Sequence, residues 1–265
     1  MENSNSEALS KSRSSRSCLR TGYHLYMSDF RQIIKRSWIA ALAYGLCFSA
    51  LMTIMVVYYP RLNLSVLVNP HSLPMVIGDY ITIFAATLVA IILGGIAEMM
   101  LYATGLNFGK WRTVKAFLAT AVILVPLTVL TLGIGLLFAL PLWQSMFSYI
   151  CDPEKKYWSN VWSSYKLGFK HWGKWFVVIL ITFIVSGVIS AVILLPAHVL
   201  CLANIQANMG TLFDDPLGMP SYAIPMTAAV MFIAGIAEGY IRLSMLYVYY
   251  VTYKSNEKNE KDIVY

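Results

Sequence analysis

The chain alternates long apolar runs with short polar and charged stretches, and the lengths of the runs predict membrane-crossing helices. The first run extends from about Trp38 to Tyr59 and stops at Pro60, and the second covers about 79–108. From Phe117 to Ile150 the sequence stays apolar for 34 residues. One helix of that length would be about 50 Å long against a hydrocarbon core of about 30 Å. Thr131, Gly133 and Gly135 interrupt it near its centre, so two spans are expected, over about 116–132 and 134–150, with Pro126 and Pro141 inside them as kinks. A fifth span is expected over about 175–203, with Pro196 near its outer end, and a sixth over about 222–253. The predicted fold class is all-α: a polytopic membrane bundle of six transmembrane helices within 23–253, with kinked spans and one interfacial helix.

The segments between the runs have their own signatures. Residues 1–22, rich in Ser, Lys and Arg, are expected to be a disordered basic cytoplasmic tail, and no cleavable signal peptide is apparent. Tyr23–Arg36 mixes Tyr26, Phe30, Ile33 and Ile34 with Arg31, Lys35 and Arg36, which suits either a short surface helix or an extension of the first span. Cys151–Gly173 opens with Asp152, Pro153, Glu154, Lys155 and Lys156, after which Trp158, Val161, Trp162, Tyr165 and Phe169 recur at helical spacing. That pattern predicts an amphipathic helix at the headgroup level, where tryptophan concentrates. Residues 254–265 are expected to form a cytoplasmic tail.

Composition agrees with a bilayer as the main solvent. The 265 residues are 58% hydrophobic and 12% charged, against about 25% charged in a typical soluble domain. The net charge of +7 is spread between the apolar runs, which reads as a topology signal rather than a nucleic-acid surface. Of the 20 Lys and Arg residues, 18 fall in 1–36, 110–115, 155–174 and 254–261. By the positive-inside rule these segments face the cytoplasm, leaving only Arg61 in a loop on the far side and both termini inside. Cys18, Cys47, Cys151 and Cys201 show no metal or redox spacing and are expected to be reduced thiols.

The remaining basic residue, Arg242, lies within the last apolar run, four positions after Glu238. Gly235-Ile236-Ala237-Glu238 repeats Gly95-Ile96-Ala97-Glu98, and the offsets of 140 here and 137 and 136 at two other anchor points suggest that spans 1–2 and 5–6 are internal repeats. A charge in a span survives when it is paired, hydrated or useful. Glu98, Glu238 and Arg242 are therefore expected to form one intramembrane cluster, with Gly94, Gly95, Gly235 and Gly239 letting helices approach closely beside it.

His24, His71, His171 and His198 are scattered without ligand spacing, and no nucleophile elbow or phosphate loop is present. No catalytic residue, cofactor or metal is expected. Membrane lipids, a membrane-protein partner or a second copy of the chain are the expected partners.

Over Gly133–Phe176, a Gly-Ile-Gly turn, Leu140-Pro141, an aromatic span end, the acidic Asp-Pro-Glu break and Trp162–Lys170 resemble bacterial six-span proteins grouped with the membrane domain of glycerophosphoryl diester phosphodiesterases. The resemblance implies a bacterial plasma membrane. The soluble phosphodiesterase domain of that group is absent here, so its activity does not carry over. Taken together, these features point to a non-enzymatic protein that organises the membrane or scaffolds a complex, with a small transporter or permease subunit as the alternative.

Overall fold

A computed structural model describes residues 12–59, 62, 63, 66, 73–131, 137, 139–210 and 222–264. All the regular structure among them is helical. In chain order the helices are α1 (Ser15–Ser28), α2 (Phe30–Thr53, continued by a π-helical turn over Ile54–Tyr58), α3 (Leu73–Gly105), α4 (Lys110–Leu130), α5 (Leu142–Cys151), α6 (Tyr157–Lys170), α7 (Trp172–Ile193), α8 (Leu195–Gly210) and α9 (Ala223–Val264).

Among the described residues five helices are long and apolar enough to cross a membrane, over Phe30–Tyr58, Val76–Gly105, Lys110–Leu130, Trp172–Ile193 and Ile224–Glu260. Their large apolar side chains are widely exposed: on α3, Ile77, Ile81, Phe84, Ile91 and Ile92 are each more than half exposed. Water would oppose a continuous apolar surface of that kind, whereas hydrocarbon accepts it. The helices are those of a multi-pass membrane protein.

The expected span over 134–150 is not among the five. The described part of that segment contains α5, whose ten residues extend about 15 Å, half a hydrocarbon core. The expected turn at Gly133 and Gly135 lies outside the described residues, as do Pro60, most of the loop that follows it, and 211–221. Pro126 does sit inside α4, but Pro141 occupies the N-cap position of α5. At a helix start the missing proline N–H leaves no hydrogen bond unmade. The fifth expected span is interrupted where α7 ends and α8 begins, at Leu194. Pro196 lacks the N–H that would bond the carbonyl four residues earlier, which weakens the helix there.

One further expectation is corrected at the N-terminal end of the chain. Residues 15–22, placed in a disordered tail 1–22, belong to α1, while 1–11 lie outside the described residues. Cys18, Gly22, Leu25 and Tyr26 form the buried stripe of α1, and the Ser14 side chain accepts a hydrogen bond from the Ser17 N–H as its N-cap. These four share the i, i+4, i+7, i+8 spacing of a single helical face. At the other end the stretch expected to be a cytoplasmic tail, 254–265, is helical through Val264 as the continuation of α9.

The helices divide into two compact units whose limits fall inside α2, α3, α7 and α9. One unit comprises Met1–Ser37, Met99–Val188 and Ile241–Tyr265. Its core is aromatic: Trp143 lies 4.9 Å from Tyr249, Phe147 stacks on Tyr253 at 5.8 Å, and Phe108 meets Tyr250 edge-on at 5.5 Å. Two phenols of this unit are tied to neighbouring helices. Tyr249 shares a 3.0 Å hydrogen bond with Thr182, and Tyr247 donates to the Gly105 carbonyl at 3.0 Å. Fully buried Asn256 donates to fully buried Gln144 at 3.3 Å. Here α3 ends in a left-handed residue, Asn107 (φ 59°), and the Phe108 N–H returns to the Ala103 carbonyl at 2.7 Å. That closure satisfies an end carbonyl before α4 begins.

The second unit comprises Trp38–Glu98 and Ile189–Tyr240. Val56, Val57, Ala197 and Met231 form one apolar cluster, and Tyr44, Phe48 and Ala97 form another. Ser49 on α2 donates to the Ala228 carbonyl on α9 at 2.6 Å. Hydroxyls serve as interhelical ties of this kind in apolar surroundings.

Candidate functional site

The second unit holds both copies of the Gly-Ile-Ala-Glu motif, and their surroundings differ. Glu238 is 8% exposed and accepts a 2.6 Å hydrogen bond from the Ser190 hydroxyl on α7. Glu98 is only half-buried on α3. Arg242 follows Glu238 by four residues on α9 and belongs to the other unit. Glu98, Glu238 and Arg242 each make at least one further interaction, so none of them is without a partner.

The glycines behave unequally too. A Cβ built on Gly235 would lie 2.8–3.0 Å from Cδ1, Cβ and Cγ of Phe48, so α2 and α9 approach too closely there for any larger residue to fit without movement. One helical turn away, Gly45 on α2 faces α9 in the same manner, 2.7 Å from Ile236. Gly94 would place its Cβ 3.4 Å from the Cys47 Cβ, an ordinary contact, and Gly95 has open space around it. Gly239 is buried. The packing role expected of all four glycines is demanded by the surroundings of Gly235 and not by those of Gly95. Motif identity set the side-chain inventory, while the neighbours supplied by other helices set the difference.

Two features have no signature in the sequence. Ser190 is one of two serines in an apolar run, and its alignment with Glu238 depends on the pairing of α7 with α9. Arg112 reads in the sequence only as a charge on the inner side. Its Nε donates to the Tyr149 carbonyl at 2.6 Å, its two terminal nitrogens donate to the carbonyls of Pro153 (3.0 Å), Lys155 (2.9 Å) and Asp152, and its guanidinium covers the Tyr149 ring at 4.0 Å. One planar fork thus satisfies the carbonyls left open at the end of α5 and in the turn behind it. Beside it, burial pushes the Cys151 thiol up to about 11, against the pull of Lys254, Lys155 and Arg112.

The expected amphipathic helix is α6, and its aromatic stripe points outward. Trp158, Trp162 and Phe169 are 63%, 64% and 51% exposed, with Trp162 stacked on Tyr165 at 5.8 Å. The small, polar face packs inward instead: Asn160 donates to Ser148 at 3.1 Å, and Ser145 of α5 donates to the Val161 carbonyl at 3.0 Å. An aqueous surface helix would be turned the other way round. This orientation suits the headgroup layer, where amphipathic rings find both of their preferred solvents.

Among the described residues no group of three or more His, Cys, Asp or Glu side chains is placed to hold a metal ion. Compared with models of known families, with curated proteins and with solved structures, the chain matches none of them.

Proposed function

We propose that this chain is a multi-pass protein of the bacterial plasma membrane, with both termini cytoplasmic, whose role is to organise the membrane or hold a complex together rather than to catalyse a reaction. The bacterial assignment rests on the resemblance to the membrane domain of the phosphodiesterase group, and the orientation rests on the distribution of Lys and Arg. The observation that carries the structural role is the treatment of Glu238. Its carboxyl is buried, held by the Ser190 hydroxyl, and lies one helical turn from the tight contact of Gly235 with Phe48. An acid tied between packed helices acts as a fastening.

A carrier is the second reading, favoured by two breaks in regular helix within the same unit: the π-helical turn at Ile54–Tyr58 and the break between α7 and α8 before Pro196. Such interruptions recur at functional sites in membrane helices. Proton flux separates the two. Proteoliposomes holding the full-length protein should dissipate an imposed pH gradient no faster than empty vesicles, and Glu238→Gln should change nothing. A gradient-driven flux that Glu238→Gln abolishes would replace the structural role with transport.

A further inference from the structure

An open groove of about 580 Å³ lies among α4, the end of α5, the turn 152–156 and the start of α6. Four cations line it, Arg112, Lys115, Lys155 and Lys156, against one acid, Glu154. Their charges are not equally available. Arg112 is anchored by its four carbonyl bonds, so it is a fixed positive charge that cannot swing away. Lys155 is taken up by Asp152 at 3.3 Å. Lys115 and Lys156 are exposed, and neither ammonium has an ion-pair partner among the described residues. Two lysines, one on α4 and one at the end of the turn before α6, therefore line the same groove as an immobile guanidinium.

The other wall is apolar. Leu118 of α4 and Trp158 of α6 line the same groove and are 52% and 63% exposed. Leu118 lies two turns into a helix that is apolar enough to cross the membrane, and Trp158 begins the outward aromatic stripe of α6. The groove thus joins a cationic end to surface suited to hydrocarbon. A soluble anion would use only the first.

We infer that this groove is a binding site for an anionic phospholipid, with the headgroup phosphate held between Lys115 and Lys156 over Arg112 and an acyl chain lying along Leu118 and Trp158. Ammonium groups bind phosphate as point charges, and the anchored guanidinium supplies field without having to be reordered. The first turn of α6 adds to that field, since it carries no acidic residue and no side-chain cap. The assignment requires that α4 and α6 meet a bilayer. It does not require the non-enzymatic role, so it and the proton-flux result can fail separately.

The test is lipid binding by full-length protein purified in detergent and stripped of lipid, read by native mass spectrometry and by titration with phosphatidylglycerol, phosphatidylcholine and inorganic phosphate. Phosphatidylglycerol should bind at one saturable site. Near an anionic surface each lysine contributes about five-fold in affinity, so Lys115→Gln with Lys156→Gln should weaken phosphatidylglycerol about thirty-fold. Both side chains are exposed, and unchanged thermal unfolding of the double variant will show that the fold is intact. Lys35→Gln with Lys166→Gln removes the same charge elsewhere and should leave the affinity unchanged. Equal binding of phosphatidylcholine would overturn the site. So would displacement of the lipid by millimolar phosphate, which would make the groove a free-anion site. An equal loss in the Lys35 and Lys166 control would also overturn it, by showing diffuse attraction to the whole surface.

Discussion

Substituting alanine for the first glycine of each Gly-Ile-Ala-Glu copy should change stability in opposite directions. Both Gly95 and Gly235 lie in helix interiors, where replacing Gly by Ala favours the helix by about 0.8–1.0 kcal/mol. At Gly95 the new methyl enters open space, so Gly95→Ala should be neutral or more stable by up to about 1 kcal/mol. At Gly235 the methyl would sit 2.8 Å from the Phe48 Cδ1 and 2.9 Å from its Cβ. The ring can rotate away from the first contact, but the second involves an atom next to the backbone and can be relieved only by moving α2 from α9. Overpacking of this kind costs about 1–3 kcal/mol. Subtracting the helix gain leaves Gly235→Ala destabilised by up to about 2 kcal/mol, and separates the two variants by about 1–3 kcal/mol. For a chain of this size that corresponds to a gap in Tm of about 2–10 °C, read by thermal unfolding of detergent-purified protein. Phe48→Ala removes two of the three contacting atoms, so in that background the cost of Gly235→Ala should fall, a coupling that a double-mutant cycle measures. If Gly235→Ala is as stable as Gly95→Ala, or if its cost is the same with and without the Phe48 ring, the close approach of α2 and α9 is wrong.

Two further outcomes follow from the turn behind α5. Arg112→Lys keeps the charge but cannot reach the carbonyls of Tyr149, Asp152, Pro153 and Lys155 together. It should lose about 2–4 kcal/mol and open Lys155 and Lys156 to trypsin, and an unchanged Tm with unchanged cleavage would refute the anchor. Cys151, with its thiol pushed up to about 11, should be slow to alkylate at pH 7.5 in a variant with Ala at Cys18, Cys47 and Cys201. The thiolate is the reactive form, so its rate should rise about ten-fold per pH unit until about pH 11, and the rate of a free thiol at pH 7.5 would contradict its burial.

How much was legible in advance depended on whether a feature was local. Run length and apolarity identified α2, α3, α4, α7 and α9, because in hydrocarbon a helix must satisfy its own backbone and be long enough to span. The aromatic spacing of α6 was equally plain, since Trp158, Trp162 and Phe169 are on one face of any helix that contains them. By composition the serine- and arginine-rich stretch before Tyr23 resembles a disordered tail. Composition weighed its polar residues, whereas α1 is held by a stripe of Cys18, Gly22, Leu25 and Tyr26, and a Cβ on Gly22 would lie 2.5 Å from the Val248 Cα. Only a partner helix can create that requirement for glycine. The run 117–150 is too long for one span, but its length could not tell a full second span from the ten residues of α5.

The candidate site divides along the same line. The sequence by itself determined that two acids and one guanidinium stand inside apolar helices, because insertion cost singles out any charge in such a run. Only the tertiary structure decided that Glu238 is buried under the Ser190 hydroxyl while Glu98 is half-exposed, and that Gly235 is pressed against Phe48 while Gly95 faces open space. Likewise Arg112 was a loop charge until α5 and the turn after it brought four carbonyls to its guanidinium. Helical periodicity is a property of neighbours along the chain and can be read from one segment at a time. The partner that a glycine, a serine or an arginine meets comes from residues 37 to 226 positions away in these cases, and no local pattern encodes that distance.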